Sequence, residues 1–479
     1  MIQILKYSCW TIMLAFMCWA LTSCTHDQLD EIGKNPNEPL DVPVSLLLPQ
    51  VELDLAVGVL GSELAWYTSV FVEHTTGVHG QMQDADRRVG INSTTVNNTW
   101  NTLYSDVNHD LNLIIAKGTS AGSEQSGDWH SVGIAKVLKA MTMSVATDMW
   151  GDVPYTQADS IEKYKTPAPD KQEDIYRALI SLLDTAISDL SKDGLTDLES
   201  IDFYYKGNTE QWIKVAYGLK ARLHNRLSRR DPVRSANAAL EAVAMSLESA
   251  TDDLKFSDFT EDATGQNSWY QFQKTGFLAV SETVFDLMNS HADPRIDLWF
   301  GAVGGEIVPA PNGLADADQA GSIYSKPATD DFASKTDQKY LGATSSLPLL
   351  TFDEIKYIEA EALLRLGKLP DAHDTLMVAV RASLERAGVA TTSIDGYISN
   401  LEIDPKTDIT LEDIIEQKYL SFWLYQPIEA YNDYRRTGIP ELNNTVGEAP
   451  KRMPYAQDEI SANPNIQPIS TQQPIWWAE

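Results

Sequence analysis

Cysteine is almost missing from this chain: Cys9, Cys18 and Cys24 are the three in 479 residues, all near the N-terminus. Cys9 and Cys18 fall inside an apolar run, Tyr7 to Leu21, that has the length of a secretory leader. Removal of that leader leaves Cys24 as the single thiol and excludes an intramolecular disulfide. A chain of several hundred residues buries enough apolar surface to fold without one. Long hydrophobic runs are lacking too, since this run falls short of the roughly 20 residues that cross a bilayer. Positive charge is scarce, with 37 Lys and Arg against 68 Asp and Glu and a formal net charge of -31. The strongest basic cluster, Arg226, Arg229, Arg230 and Arg234, suits a helix C-terminus rather than a phosphate groove, so nucleic acid is not an expected partner. Glycine-rich phosphate loops are absent. The eight histidines are scattered, and His74 and His79 do not have the spacing of a helical zinc pair. No metal and no cofactor are expected.

What is present begins at Cys24. Leu21, Thr22, Ser23 and Cys24 close the apolar run and resemble the lipid-attachment box of bacterial lipoproteins. That resemblance implies cleavage before Cys24 and acylation of the new N-terminus, so residues 1–23 are read as a signal peptide. Residues 24–44 are polar and carry Pro36, Pro39 and Pro43, which oppose regular helix and suit a tether between lipid and domain. Residues 45–479 are read as one domain.

Helical periodicity dominates that domain. Apolar residues recur at three- and four-residue steps over 45–60, 100–117, 131–149, 175–190, 212–227, 233–247, 280–290, 352–366, 369–386 and 411–436. The pair around Gly367 has the tetratricopeptide spacing of small and apolar residues: Ala360, Leu363, Gly367, Ala372, Leu376 and Ala379. The expected fold is mainly α. Tetratricopeptide-like helical hairpins over about 131–248 and 349–436 form the scaffold, packed with an irregular, loop-rich ligand-binding part over about 62–99 and 251–348.

Patterns that carry chemistry are few. Gly118 to Gly122 spells a nucleophile elbow around Ser120, but that motif needs a preceding strand, and a helix is expected there. Asp316, Asp318 and Gly321 resemble the start of a calcium loop, yet Ala320 replaces one ligand and Pro327 stands where a bidentate Glu belongs. No acid and base pair stands out among 68 carboxylates, and no catalytic residue is assigned. Aromatic residues in polar segments are better candidates, because flat apolar rings stack on sugars while their N–H and O–H groups take polar partners. Trp269, Tyr270 and Phe272 lie in the polar segment 265–274, and Trp66 and Tyr67 precede the polar stretch 77–98. These five are the expected ligand contacts. Trp100, Tyr104, Trp150 and Tyr155 border helices and are read as structural.

Four stretches carry a family resemblance. Ile415-Glu-Gln-Lys418 with Glu429 to Gly438 and Pro440 resembles the C-terminal helical signature of the SusD/RagB family, the surface nutrient-binding lipoproteins of Bacteroidetes. Asn35 to Pro39 with Leu46 to Pro49 resembles its entry segment, Trp150 to Tyr155 its interhelical motif, and Arg452 to Tyr455 with Glu459 and Asn463 its closing motif. The resemblance covers the whole mature chain. It implies a SusD-like fold and a lipid-anchored, surface-exposed protein of the outer membrane. It also implies a nutrient ligand, foremost an oligosaccharide, and a SusC-like TonB-dependent transporter over which the protein sits as a lid. The protein is expected not to be an enzyme; a surface glycoside hydrolase, or a helical scaffold for a protein partner, is the alternative. Arg435 and Arg436 are expected in buried carboxylate pairs.

Overall fold

The computed structural model describes residues 42–479, apart from 159, 161–162, 316–322, 331, 336–339, 402 and 404–407. The signal peptide, Cys24 and nearly all of the tether lie outside the described residues, as do Asp316, Asp318 and Gly321. Residues 44–479 make one compact unit.

Helix α1 (Val44–Leu53) runs through a π-helical turn, Asp54–Leu60, towards α2 (Glu63–Phe71), so the periodic stretch 45–60 is an α-helix followed by a wider turn. The stretch 77–98 has no helical period, yet it is ordered by short elements. These are β1 (Thr75–Gly77), α3 (Gly80–Asp86) and a 3-10 turn, Ser93–Val96. Asn92 caps that turn: its Oδ1 accepts from Thr94 N at 3.0 Å while its own N donates to Thr95 Oγ1 at 3.2 Å. Then come α4 (Asn97–Asn101), a π-helical turn, Thr102–Asn108, and α5 (His109–Thr119). Ser120 is exposed and follows a helix rather than a strand, so the nucleophile-elbow geometry is not formed.

The scaffold contains α6 (Trp129–Trp150), β2 (Val153–Pro154), β3 (Pro169–Asp170), α7 (Gln172–Leu190), α8 (Thr209–Arg226) and α9 (Pro232–Val243). A less regular part follows with β4 (Leu254–Phe256), α10 (Ser268–Gln273), β5 (Leu278–Val280), α11 (Glu282–Ser290), α12 (Ile296–Trp299) and β6 (Leu347–Leu350). The scaffold resumes with α13 (Phe352–Arg365), α14 (Leu369–Arg386), α15 (Thr391–Asn400), α16 (Leu411–Ser421) and α17 (Pro427–Thr437), and α18 (Gln457–Ala462) lies in the tail. The periodic stretch 411–436 is thus two helices. Pro427 starts the second, where its missing N–H costs nothing, and Leu424 turns the chain between them with φ 71°.

Helices α5, α6, α7, α8, α9, α13, α14 and α15 each pack on the next, which makes the helical hairpins one continuous layer. Small residues let them approach: a Cβ on Gly133 of α6 would meet Leu190 Cγ of α7 at 2.5 Å. In the α13/α14 hairpin Ala360, Ala372, Leu376 and Ala379 are fully buried, and Gly367 makes the turn with φ 73° while Lys368 N donates to Leu363 O at 3.0 Å. Two two-stranded antiparallel ribbons order the irregular part, β1 on β5 with Thr75 opposite Val280 and β4 on β6, and a third, β2 on β3, lies in the scaffold.

A buried ion network holds α8, α13, α16 and α17 together. Arg222 clamps Glu354 with two bonds of 2.6 and 2.7 Å, and Arg436 Nη2 reaches Glu361 and Asp433, each at 2.8 Å. Lys418 sits 2.8 Å from Asp433, and Arg226 bonds Glu429. Burial alone would raise the Glu361 carboxyl; the Arg436 charge and hydrogen bonds overcome it and hold the group at about 2. Arg435 corrects the expectation for its pair. Among the described residues it has no carboxylate partner; its guanidinium lies 4.0 Å from the Tyr431 ring centre and 5.0 Å from that of Trp477, and it donates to Lys451 O at 3.1 Å. Two motifs far apart in sequence also meet: Trp150 Nε1 donates to Pro454 O at 2.8 Å, and Tyr455 Oη to Asp152 O at 2.5 Å.

Candidate functional site

The irregular part brings α2, the β1–β5 ribbon, α3 and α10 together, and with them most of the aromatic candidates. Segment 265–274 is not the loop its composition suggests. Asn267 Oδ1 accepts from the backbone N of Trp269 at 2.9 Å and of Tyr270 at 3.1 Å, which caps α10 and gives these aromatics a helical face to bury. Trp269 is 0% exposed and presents no ring face to a ligand, which corrects its reading as a contact. Phe272 is also inside, with 8% exposure, and Tyr270 has 9%.

Trp66 is half-buried and lies flat on Phe272, ring centres 3.8 Å apart and planes 7° from parallel. Phe272 meets the half-buried Phe277 edge-on at 6.1 Å, and Phe277 meets the exposed His79 at 5.3 Å. The ribbon sets this geometry, since Val78 N donates to Phe277 O at 2.9 Å. Gly80, with φ 53°, permits the close pass, because a Cβ there would meet the Phe277 ring at 3.3 Å. Trp66 and Phe277 are the surface rings of this cluster, with Phe272 behind them. Sequence reasoning missed Phe277 and His79; the one signal for them was their position at the ends of two short strand-like runs.

Two recesses adjoin elements of the cluster. The first, of about 360 Å³, is polar and lined by Glu63, Tyr67, Gln81, Asp84, Asn92 and Asn98, among others. Glu63 is fixed by Asn98 Nδ2 at 2.8 Å and Thr99 Oγ1 at 3.0 Å. Burial, then the Glu63 and Asp84 charges, push the Tyr67 hydroxyl up to about 12, so it stays a neutral donor and acceptor. Tyr67 as a whole is 5% exposed, so its ring offers no face to stack on. The second recess, of about 230 Å³, contains Tyr270, Gln273, Lys274, Lys326, Thr329 and Phe332.

A larger cavity, about 1090 Å³, lies by the C-terminal end of α17 and is lined by Glu73, Arg88, Arg229, Tyr434 and Arg435 with the following tail. Glu73 holds that tail: it accepts from Asn443 N at 2.8 Å and Asn444 N at 3.1 Å, and from the Thr283 hydroxyl. No group of three or more His, Cys, Asp or Glu able to hold a metal occurs among the described residues.

The family described as SusD-like, starch-binding associating with outer membrane, matches residues 36–456. Among solved structures, the chain is similar to a SusD/RagB family protein from Bacteroides thetaiotaomicron at 29% identity, with TM-score 0.77, covering 91% of this chain and 99% of that one. It is similar to a SusD homolog from Bacteroides uniformis at 21% identity, with TM-score 0.74 and coverage of 92% and 100%. It is also similar to a chitin-binding SusD homolog from Flavobacterium johnsoniae at 21% identity, with TM-score 0.73 and coverage of 91% and 98%. No curated protein matches the chain.

Proposed function

The chain belongs to the SusD-like family of starch-binding proteins that associate with the outer membrane, and from that premise we propose that it captures a glycan on an aromatic surface built around Trp66. The stacked Trp66–Phe272 pair carries this reading. A ring held flat by a second ring behind it keeps its orientation without a ligand, so little side-chain freedom is lost when a sugar stacks on it. Phe277 extends the apolar surface, while Tyr67, Gln81 and Asn92 in the neighbouring recess supply hydrogen-bonding groups for sugar hydroxyls. Tyr270 borders the second recess. Trp269 and Phe272 serve behind the surface. The protein binds its glycan without transforming it, and hands it to a SusC-like TonB-dependent transporter, which it covers as a lid while the lipid on Cys24 anchors it to the outer membrane. The family resemblance supports the transporter and the lid; Leu21 to Cys24 supports the anchor.

A glycan array with starch and chitin oligosaccharides among its probes tests the reading. The wild-type chain is expected to bind at least one glycan, and Trp66→Ala to weaken that binding about tenfold, the loss of one aromatic stack. Absence of binding to every probe would remove the glycan reading. Unchanged affinity in both Trp66→Ala and Phe277→Ala would remove the surface assigned here.

A further inference from the structure

The second recess differs in charge from the rest of the molecule. In a chain with a formal net charge of -31, the described residues of its lining include two lysines and no carboxylate: Tyr270, Gln273, Lys274, Lys326, Pro327, Thr329 and Phe332. Lys326 is half-buried, and among the described residues its ammonium has no ion-pair or hydrogen-bond partner. Burial alone lowers its pKa. Lys274 Nζ lies 4.2 Å from the Tyr270 ring centre and donates to the amide oxygen of Gln266 at 2.9 Å, again with no carboxylate. In the same lining, Gln273 is 7% exposed, and among the described residues neither its amide oxygen nor its amide nitrogen has a hydrogen-bond partner. A buried amide with both ends unused is costly unless something enters to meet it.

The backbone beneath these groups is pinned. Lys326 O accepts from Gly301 N at 2.8 Å, Ala328 N donates to Trp299 O at 2.7 Å, and Gly276 N donates to Gln273 O at 3.1 Å. Gly276, with φ 70°, lets the turn after α10 pass close to Lys326, whose Nζ would stand 3.5 Å from a Cβ there. The same turn leads directly to Phe277, so the recess is continuous in sequence with the aromatic surface around Trp66.

We propose that this recess is an anion subsite, which takes the carboxylate of a uronic acid or the sulfate ester of a sulfated sugar within the captured glycan. The proposal rests on the glycan reading and adds the charge class of the cargo. Lys326 and Lys274 meet the anionic oxygens, the Gln273 amide donates to one of them or accepts from an adjacent hydroxyl, and Tyr270 with Phe332 flanks the ring. Such a local positive site also lets a strongly acidic protein accept an acidic chain that its overall field would repel.

Calorimetric titration of the full chain with three tetrasaccharides separates the possibilities: chitin (neutral), hyaluronan (carboxylate) and chondroitin sulfate (carboxylate and sulfate). The acidic probes are expected to bind about tenfold more tightly than chitin at low salt, with the preference fading at high salt. In Lys274→Met/Lys326→Met the preference should fall to about twofold or less while chitin affinity stays unchanged. A further gain for chondroitin sulfate over hyaluronan would assign the subsite to sulfate, and equal binding of the two to carboxylate. If chitin binds as tightly as both acidic probes, the anion subsite is overturned and glycan capture stands. A preference that survives in the double variant overturns the assignment to these lysines. Failure of all three probes overturns the subsite, and the array then decides the glycan reading separately.

Discussion

Arg435 and Arg436 are adjacent, equally basic and on one helix, yet their surroundings give them unlike roles. Arg436 faces the core and is held by Glu361, Asp433 and the Ser228 hydroxyl at 2.8 Å, whereas Arg435 is sandwiched near Tyr431 and Trp477. Removing Arg436 would take from Glu361 and Asp433 the buried cation they share, leaving Glu361 with Arg365 and Asp433 with Lys418. Arg436→Met is expected to lower unfolding free energy at pH 7 by about 3 kcal/mol, the lower end for a broken buried pair because each carboxylate keeps a second partner. The pH dependence has a definite sign. Glu361 is held at about 2 in the fold, against about 4.3 when unfolded, so the stability it contributes is complete above the unfolded value and lost as pH falls through 2. In Arg436→Met the largest lowering influence is gone while Arg365 stays, so the carboxyl rises from about 2 and the deficit should shrink as pH falls from about 4.3 towards 2. Urea unfolding of both proteins at pH 7 and at about pH 3 checks this. A deficit of the same size at both values would sink the ion-pair account.

At the scale of elements, the α13/α14 hairpin matched its expected span almost to the residue, while the segment around Trp269 did not. Ala372, Leu376 and Ala379 recur along one face of α14, with Ala360 and Leu363 on the facing α13, and such local spacing survives whatever packs against it. Ala379→Leu should force extra volume into that closed interface and cost about 1–3 kcal/mol. The neighbouring Val378, 45% exposed, should accept leucine within about 0.5 kcal/mol. Thermal and urea unfolding of the two variants provide the comparison, and equal effects would show that the small-residue face does not limit packing. Segment 268–273 was illegible for the opposite reason. It is short, and its helical state rests on the Asn267 cap and on docking, with Ser268 Oγ donating to Gly61 O at 2.6 Å and Asn267 Nδ2 to Ser345 O at 2.8 Å. A six-residue helix is not stable by itself.

For the whole molecule, one hairpin layer carries a rigid core, and the irregular part fastens to it through short ribbons and buried polar contacts. The proposed tether acts at this scale. Cys24→Ala is expected to release the protein from the membrane fraction while the isolated protein keeps its glycan affinity. Fractionation followed by the same array measures both, and full membrane retention of the variant would refute lipid anchoring at Cys24. In the proposed lid role, acyl anchoring would also raise the effective concentration of the protein at a transporter, so uptake should fall with retention.

The sequence by itself determined the helical class, the run of hairpins and the family, because apolar periodicity and short motifs are properties of neighbouring residues. It also pointed to aromatic residues of the irregular part as candidates. Only the tertiary structure decided which rings reach the surface. Trp269 and Trp66 look alike in sequence, but Asn267 turns the first into the core, while Phe272 supports the second from behind and leaves it half-buried. The same holds for Lys326, an ordinary lysine in sequence that shares a recess with a buried amide and has no partner among the described residues once the turn after α10 passes beside it. Exposure and charge environment depend on residues brought from far along the chain, and no local pattern records them.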